Sequence, residues 1–207
     1  MAAKKKALKA KGAKAKTVAA GKAVKRAVSA AKAQPAGGPW GAVFSPRAKG
    51  ERRYWLVKSE PEVFSFDDLL AAPARTTCWN GVRNYAARNF MRDGMKIGDR
   101  AFFYHSNANP QVIAGICEVV REGYADHTAT TRGHDHFDPD SDAANPTWMM
   151  VDVRAVAKIP QPVSLKAVKA HADLATMALI RVSRLSVVPV TAAEWRTICT
   201  MGGVRGE

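Results

Sequence analysis

Three short segments set aromatic rings beside polar side chains at the ends of apolar runs. They are Lys58-Ser59-Glu60-Pro61, Trp79-Asn80-Gly81-Val82-Arg83-Asn84-Tyr85 and Phe102-Phe103-Tyr104-His105-Ser106-Asn107. Trp79 and Tyr104 offer flat faces on which a nucleobase stacks, an interaction worth about 1–3 kcal/mol per base. Lys58, Ser59, Asn80, His105, Ser106 and Asn107 supply donors and acceptors for a base edge, and Arg83, Arg88 and Arg92 suit flanking phosphates. The same residues serve equally well as core aromatics and turn caps, and residue types alone do not separate the two readings.

Other chemistries find less support. Arg132-Gly133-His134-Asp135-His136-Phe137-Asp138 contains a His-x-His fragment of the kind seen in metal sites, but no helix frames it and no further His or Glu cluster completes it. It reads as a solvated loop rich in turn formers. His105 and Ser106 are adjacent on a strand and point to opposite faces, which argues against a Ser/His pair. Nucleophile-elbow, P-loop, GxGxxG and zinc-deaminase patterns are all missing. The expectation is therefore a protein that is not an enzyme and needs no metal or cofactor.

The elements that must position these residues follow from pattern. Tyr54-Trp55-Leu56-Val57 is a strand signal broken by Ser59-Glu60-Pro61. Ser65 reads as the N-cap of a short helix that Pro73 ends, with Asp67 and Asp68 in its first turn. Asn84 to Met91 has helical period, with Tyr85, Arg88 and Arg92 on one side and Gly94 as the residue after the helix. Strands are predicted over 100–104, 111–120, 148–156 and 185–190, with a long polar irregular segment over 124–146. Short helices are predicted over 164–172 and 174–180. A last helix over 191–199 carries a Thr191/Glu194 capping box. Non-local strands with interspersed short helices make an α+β, barrel-like domain.

Charge divides the chain. Residues 1–50 hold eleven Lys and two Arg with no acid, so +13 of the +14 total lies there and the remainder is near neutral at +1. The low-complexity Lys/Ala-rich stretch to about residue 38 lacks the bulky apolar surface needed to offset chain entropy and is expected to be a disordered tail. Residues 35–50 read as a linker, giving a tail and linker over 1–50 and a domain over 51–207. Lys4, Lys5, Lys6, Lys11, Lys14 and Lys16 suit the phosphate backbone of nucleic acid, where counterion release gives affinity without sequence choice. Cys78, Cys117 and Cys199 are odd in number and far apart, which suits a reducing compartment. No run of eighteen apolar residues suggests a membrane span, and no apolar core suggests a secretory signal. The expected location is cytoplasmic or nucleoid-associated, or nuclear in a eukaryote.

Tyr54 to Pro61, Trp79 to Asn89 and Phe103 to Asn107 closely resemble the EVE domain family. The resemblance continues through Gly115-Ile116-Cys117-Glu118-Val119, Trp148 with Val151-Asp152-Val153, Arg184 to Val190 and Glu194-Trp195, covering about residues 53 to 203. It implies a PUA-like β pseudo-barrel with peripheral short helices, related to YTH and ASCH domains. It also implies a non-catalytic pocket for a modified base, either modified cytosine in DNA or a modified RNA nucleotide. Carried over by motif, the pocket draws on Lys58, Ser59 and Glu60, on Trp79, Asn80, Gly81, Val82, Arg83 and Asn84, and on Tyr104, His105, Ser106 and Asn107. Arg184, Leu185 and Ser186 form another wall. The position of Asn80 is often Asp in the family and that of Ala86 often Gln. Asn in place of Asp keeps an acceptor, adds a donor and removes a charge, while Ala86 loses a polar head. Phe137-Asp138-Pro139-Asp140-Ser141 resembles the family's Tyr-Asp-Pro-x-Ser turn, a further reason to read His134 and His136 as loop residues. Two other functions stay open at this point: an enzyme acting on a modified base, and a protein-interaction module with a vestigial pocket.

Overall fold

The computed structural model describes residues 39–204. Lys4, Lys5, Lys6, Lys11, Lys14 and Lys16, and with them the expected disordered tail, lie outside the described residues.

Trp55, Leu56 and Val57 form an unbroken apolar run, the pattern of a strand covered on both faces. They are fully buried in β1 (Tyr54–Ser59), which runs parallel to β3 (Arg100–His105) and antiparallel to β6 (Val187–Val190). β3 continues antiparallel into β4 (Val112–Ala125), β4 into β5 (Met149–Ser164), and β5 pairs with β2 (Thr76–Trp79). The six strands therefore form one sheet in the order β2-β5-β4-β3-β1-β6, with β2 and β6 as its edges. Register shifts interrupt the β4–β5 ladder at Ile113/Gly115, Ile116/Cys117, Val119/Arg121 and Arg121/Tyr124. Such bulges bend and twist a sheet, and here they curl it towards a barrel. Gly115 lies at one of them because the Phe66 ring occupies the space a Cβ would need.

Short helices close the periphery. α1 (Phe66–Ala71) opens on a capping box in which Ser65 and Asp68 exchange hydrogen bonds. α2 (Tyr85–Asn89) starts at Asn84, whose Oδ1 accepts from Ala86 N and Ala87 N, and runs on into a π turn over Phe90–Gly94. α3 (Leu165–Ala170) and α4 (Ala178–Arg181) follow, and α5 (Ala192–Met201) carries the anticipated Thr191/Glu194 capping box. The α+β expectation holds. Three details differ. β2 forms where no strand is predicted, β4 and β5 continue to Ala125 and Ser164, and the two predicted helices over 164–180 are shorter.

The linker expectation needs correcting at its C-terminal end. Residues Gly41–Phe44 form a 3₁₀ turn, and Trp40 and Phe44 pack on Phe90 with ring centroids 5.7 and 5.8 Å away. Arg47 then clamps the buried carboxylate of Asp99 through both Nη atoms, at 2.6 and 2.7 Å. Trp55 Nε1, Arg53 N and Lys96 N also donate to Asp99. A buried charge with this many donors is compensated. Pro and Gly make the stretch look like a spacer, but Trp40, Val43 and Phe44 have apolar area to bury, and the core takes it.

Candidate functional site

β2 and β6 stand at opposite ends of the sheet order, yet residues from both ends line one cavity. Thr77, Cys78 and Trp79 come from β2, Lys58 and Ser59 from the end of β1, and Ser186 from the residue preceding β6. The cavity thus occupies the seam where the curled sheet fails to close. Its volume is about 360 Å³, within the range of small-ligand sites. Asn80, Gly81, Val82, Val63, Phe64 and His136 complete its wall.

The turn after β2 is held by one buried acid. Asp126 Oδ2 accepts from Gly81 N at 3.0 Å and from Arg83 Nη1 at 2.8 Å, while its Oδ1 accepts from Thr128 N and Oγ1. Burial pushes the Asp126 carboxyl up, but the donors from Arg83, Thr128 and Gly81 outweigh it and hold it below the usual carboxylate range. Gly81 has φ +74°, open to glycine at no steric cost, and the His136 ring fills the space its Cβ would take. Arg83 Nη2 also donates to the His136 carbonyl. Gly81, Arg83 and Asp126 together therefore fasten the long 126–148 segment over the cavity. Arg83 is a positioning residue for that wall.

The EVE domain family model matches residues 53–201. The chain belongs to the EVE domain family. It is 42% identical to human thymocyte nuclear protein 1 over 165 residues, covering 72% of this chain and 73% of that protein. Among solved structures, a hypothetical protein from Leishmania major is 45% identical with a TM-score of 0.72, over 76% of this chain and 98% of that one. Human thymocyte nuclear protein 1 in complex with 5-methylcytosine-containing DNA is 41% identical with a TM-score of 0.71, over 74% and 99%.

Set on this EVE domain, the residues picked from sequence separate into two groups. Lys58, Ser59, Trp79, Asn80, Gly81, Val82 and Ser186 meet at the cavity. Trp79 is 7% exposed and meets Phe103 edge to face at 5.3 Å, so its ring is fixed in the wall. Lys58 Nζ donates to the Ser183 carbonyl at 3.1 Å, and burial holds its ammonium below the ordinary lysine range. Ser59 Oγ donates to the Phe64 carbonyl at 2.7 Å.

The others do not line the cavity. Tyr104 is 3% exposed and belongs to the core, where burial raises its phenol. His105 Nε2 accepts from Phe66 N at 3.0 Å, serving the start of α1. Asn107 Nδ2 donates to Glu60 Oε2 at 3.2 Å, a tie between two exposed loops. Ser106 N donates to the Ser59 carbonyl, extending the β1–β3 pairing. Asn84 caps α2, Leu185 is buried in the core, and Arg184 is exposed. Arg88, expected at a flanking phosphate, is turned inward. It is 7% exposed, and its guanidinium donates to Asn89 Oδ1 and the Thr147 carbonyl. Arg92 pairs with the neighbouring Asp93 at 2.6 Å and stays partly exposed.

Ala86 lies on α2 outside the cavity wall, whereas Asn80 is part of it. Sequence reading missed His136, Cys78, Thr77, Val63 and Phe64. Only the His-x-His fragment gave a signal for any of them, and it pointed to metal. Among the described residues, no three His, Cys, Asp or Glu side chains are grouped to hold a metal ion. No helix among the described residues is long and apolar enough to cross a membrane.

Proposed function

We propose that this protein is a non-catalytic reader of modified nucleobases in nucleic acid, accepting one base into the cavity at the seam of the sheet. The observation that carries this reading is the convergence of Trp79 with Lys58, Ser59, Asn80 and Ser186 on a single cavity. The likeness to a human protein crystallised with 5-methylcytosine-containing DNA supports it and makes modified cytosine the first ligand to test. A modified RNA nucleotide is the second.

In this reading the Trp79 ring supplies an apolar wall, and Asn80 and Ser59 read the base edge. Lys58, kept short of solvent, supplies charge beside the edge or the adjoining phosphate. Extruding a base costs a few kcal/mol, which these contacts must exceed. Recognition needs no bond making, so the wall residues are required only to fit and to pair. The Lys-rich segment before residue 39 adds affinity for phosphate regardless of sequence. The relatives named as nuclear proteins make the nucleus the compartment to examine first.

Titration of the full chain with matched oligonucleotides carrying cytosine, 5-methylcytosine or modified RNA nucleotides tests the proposal. Preferential binding of at least one modified form is the expected result, with the oligonucleotide recovered unchanged by mass spectrometry. Equal affinity for modified and unmodified strands would overturn it, and conversion of the base would make the protein an enzyme.

A further inference from the structure

A second aromatic cluster lies next to the cavity wall. Tyr85, the first residue of α2, is 61% exposed, yet its ring is held. It stacks on Trp148 with centroids 5.0 Å apart and planes at 26°, and Arg88 Cζ lies 4.9 Å from its centre. Trp148 is itself fixed, 6% exposed with Nε1 donating to Asp138 Oδ2 at 2.5 Å and Arg83 Cζ 5.4 Å from its ring. We propose that the solvent side of Tyr85 is the stacking platform for the nucleobase adjoining the one held in the cavity. The proposal rests on the base-reader function above and extends its footprint along the strand.

Three observations carry it. The first is continuity: His136 lines the cavity, Arg83 donates to the His136 carbonyl and lies over Trp148, and Trp148 supports Tyr85. One connected run of groups therefore leads from the cavity to the exposed ring. The second is preorganisation. Trp148 stacks on the ring and Arg88, anchored on the Thr147 carbonyl, lies over it, so the 147–148 segment supplies one support and holds the other while Tyr85 stays 61% exposed. A ring already fixed loses little freedom when a base stacks on it. The third is charge. Arg88 is buried and its hydrogen bonds go to neutral groups, the side-chain oxygen of Asn89 and a carbonyl. Its positive charge against the ring favours a polyanion at this surface. A flat ring beside Asn84, Arg83 and Arg88 offers a π face and positive charge, which fit a base better than an apolar protein segment.

An oligonucleotide with one 5-methylcytosine and a neighbouring 2-aminopurine tests the platform, with free 5-methyl-2′-deoxycytidine as the companion ligand. Full-length protein should quench the 2-aminopurine on binding. Tyr85→Ala should lose that quench and about tenfold in oligonucleotide affinity, Tyr85→Phe should keep both, and all three proteins should bind the free nucleoside alike. Undiminished oligonucleotide affinity and quench in Tyr85→Ala would overturn the proposal. So would an equal loss for the free nucleoside, because the residue would then act only through the cavity. Failure of the base-reader function has a different signature, full-length protein that binds methylated and unmethylated strands alike. The Tyr85→Ala comparison on those strands still decides the platform.

Discussion

His105 accepts the Phe66 N–H at the start of α1, and only a neutral imidazole can do so. Burial lowers its pKa in the folded state. The unfolded chain therefore takes up the proton first as pH falls through about 6.5, and stability declines from there until the folded pKa is reached. Melting temperatures at pH 7.5 and 5.5 should fall further apart in the natural protein than in His105→Gln. Equal losses would show that His105 does not titrate as described. Asp126 works in a lower window. Its depressed folded pKa stabilises the turn above about pH 4 and loses that contribution as pH drops through the folded value. In the proposed reading Asn80, a residue of the cavity wall, tunes choice. A carboxylate accepts from the exocyclic amine of cytosine and repels a 4-oxo base, whereas an amide tolerates both. Asn80→Asp should therefore raise the preference for 5-methylcytosine over thymine by about tenfold in competition binding, equivalent to roughly 1.4 kcal/mol. An unchanged ratio would place Asn80 outside the recognition of that edge.

At the scale of elements, the turn between β2 and α2 decides whether the cavity exists. Gly81→Ala must accommodate a left-handed backbone and displace the His136 ring, so a loss of about 1–3 kcal/mol in chemical denaturation is expected together with weakened ligand binding. A fully stable variant would contradict the role given to that contact. The helices were largely legible because their caps are local: Ser65, Asn84 and Thr191 each announce a start and each serves as one. β2 was not. Thr76-Thr77-Cys78-Trp79 is short and half polar, and it becomes a strand only by pairing with Val151 to Arg154 of β5, far away in sequence. Trp79, Asn80, Lys58 and Ser59 were recognisable from their motifs, but Tyr104 was not separable from a core aromatic by residue type. His136 was hidden for another reason. Where a loop of more than twenty residues lands is fixed by bonds from its Asp126 and His136 to Gly81 and Arg83, which stand 43 to 53 residues away in sequence.

The whole molecule combines a nearly neutral EVE domain with a strongly basic N-terminal segment. Two truncations separate their contributions. A chain beginning at residue 39 should melt like the full protein, whereas one beginning at residue 51 loses the Trp40 and Phe44 contacts and the Arg47–Asp99 pair. Its melting temperature should fall by several degrees, since each 1 kcal/mol corresponds to roughly 2–8 °C for domains of this size range. Identical melting of the two truncations would mean that residues 39–50 add nothing to the fold's stability. For binding, the chain from residue 39 should be uniformly weaker on all strands and less sensitive to salt, with its preference between bases intact. These outcomes assign affinity to the tail and choice to the cavity.

Choice is the central claim, and Trp79 carries it. The most direct test is the ratio of affinities for 5-methylcytosine and cytosine in otherwise identical strands, measured for the natural protein, Trp79→Phe and Trp79→Ala, with folding of each confirmed by circular dichroism. The ratio should exceed one in the natural protein, persist in Trp79→Phe and collapse towards one in Trp79→Ala. An unchanged ratio in a folded Trp79→Ala protein would contradict the assignment of this cavity as the base site.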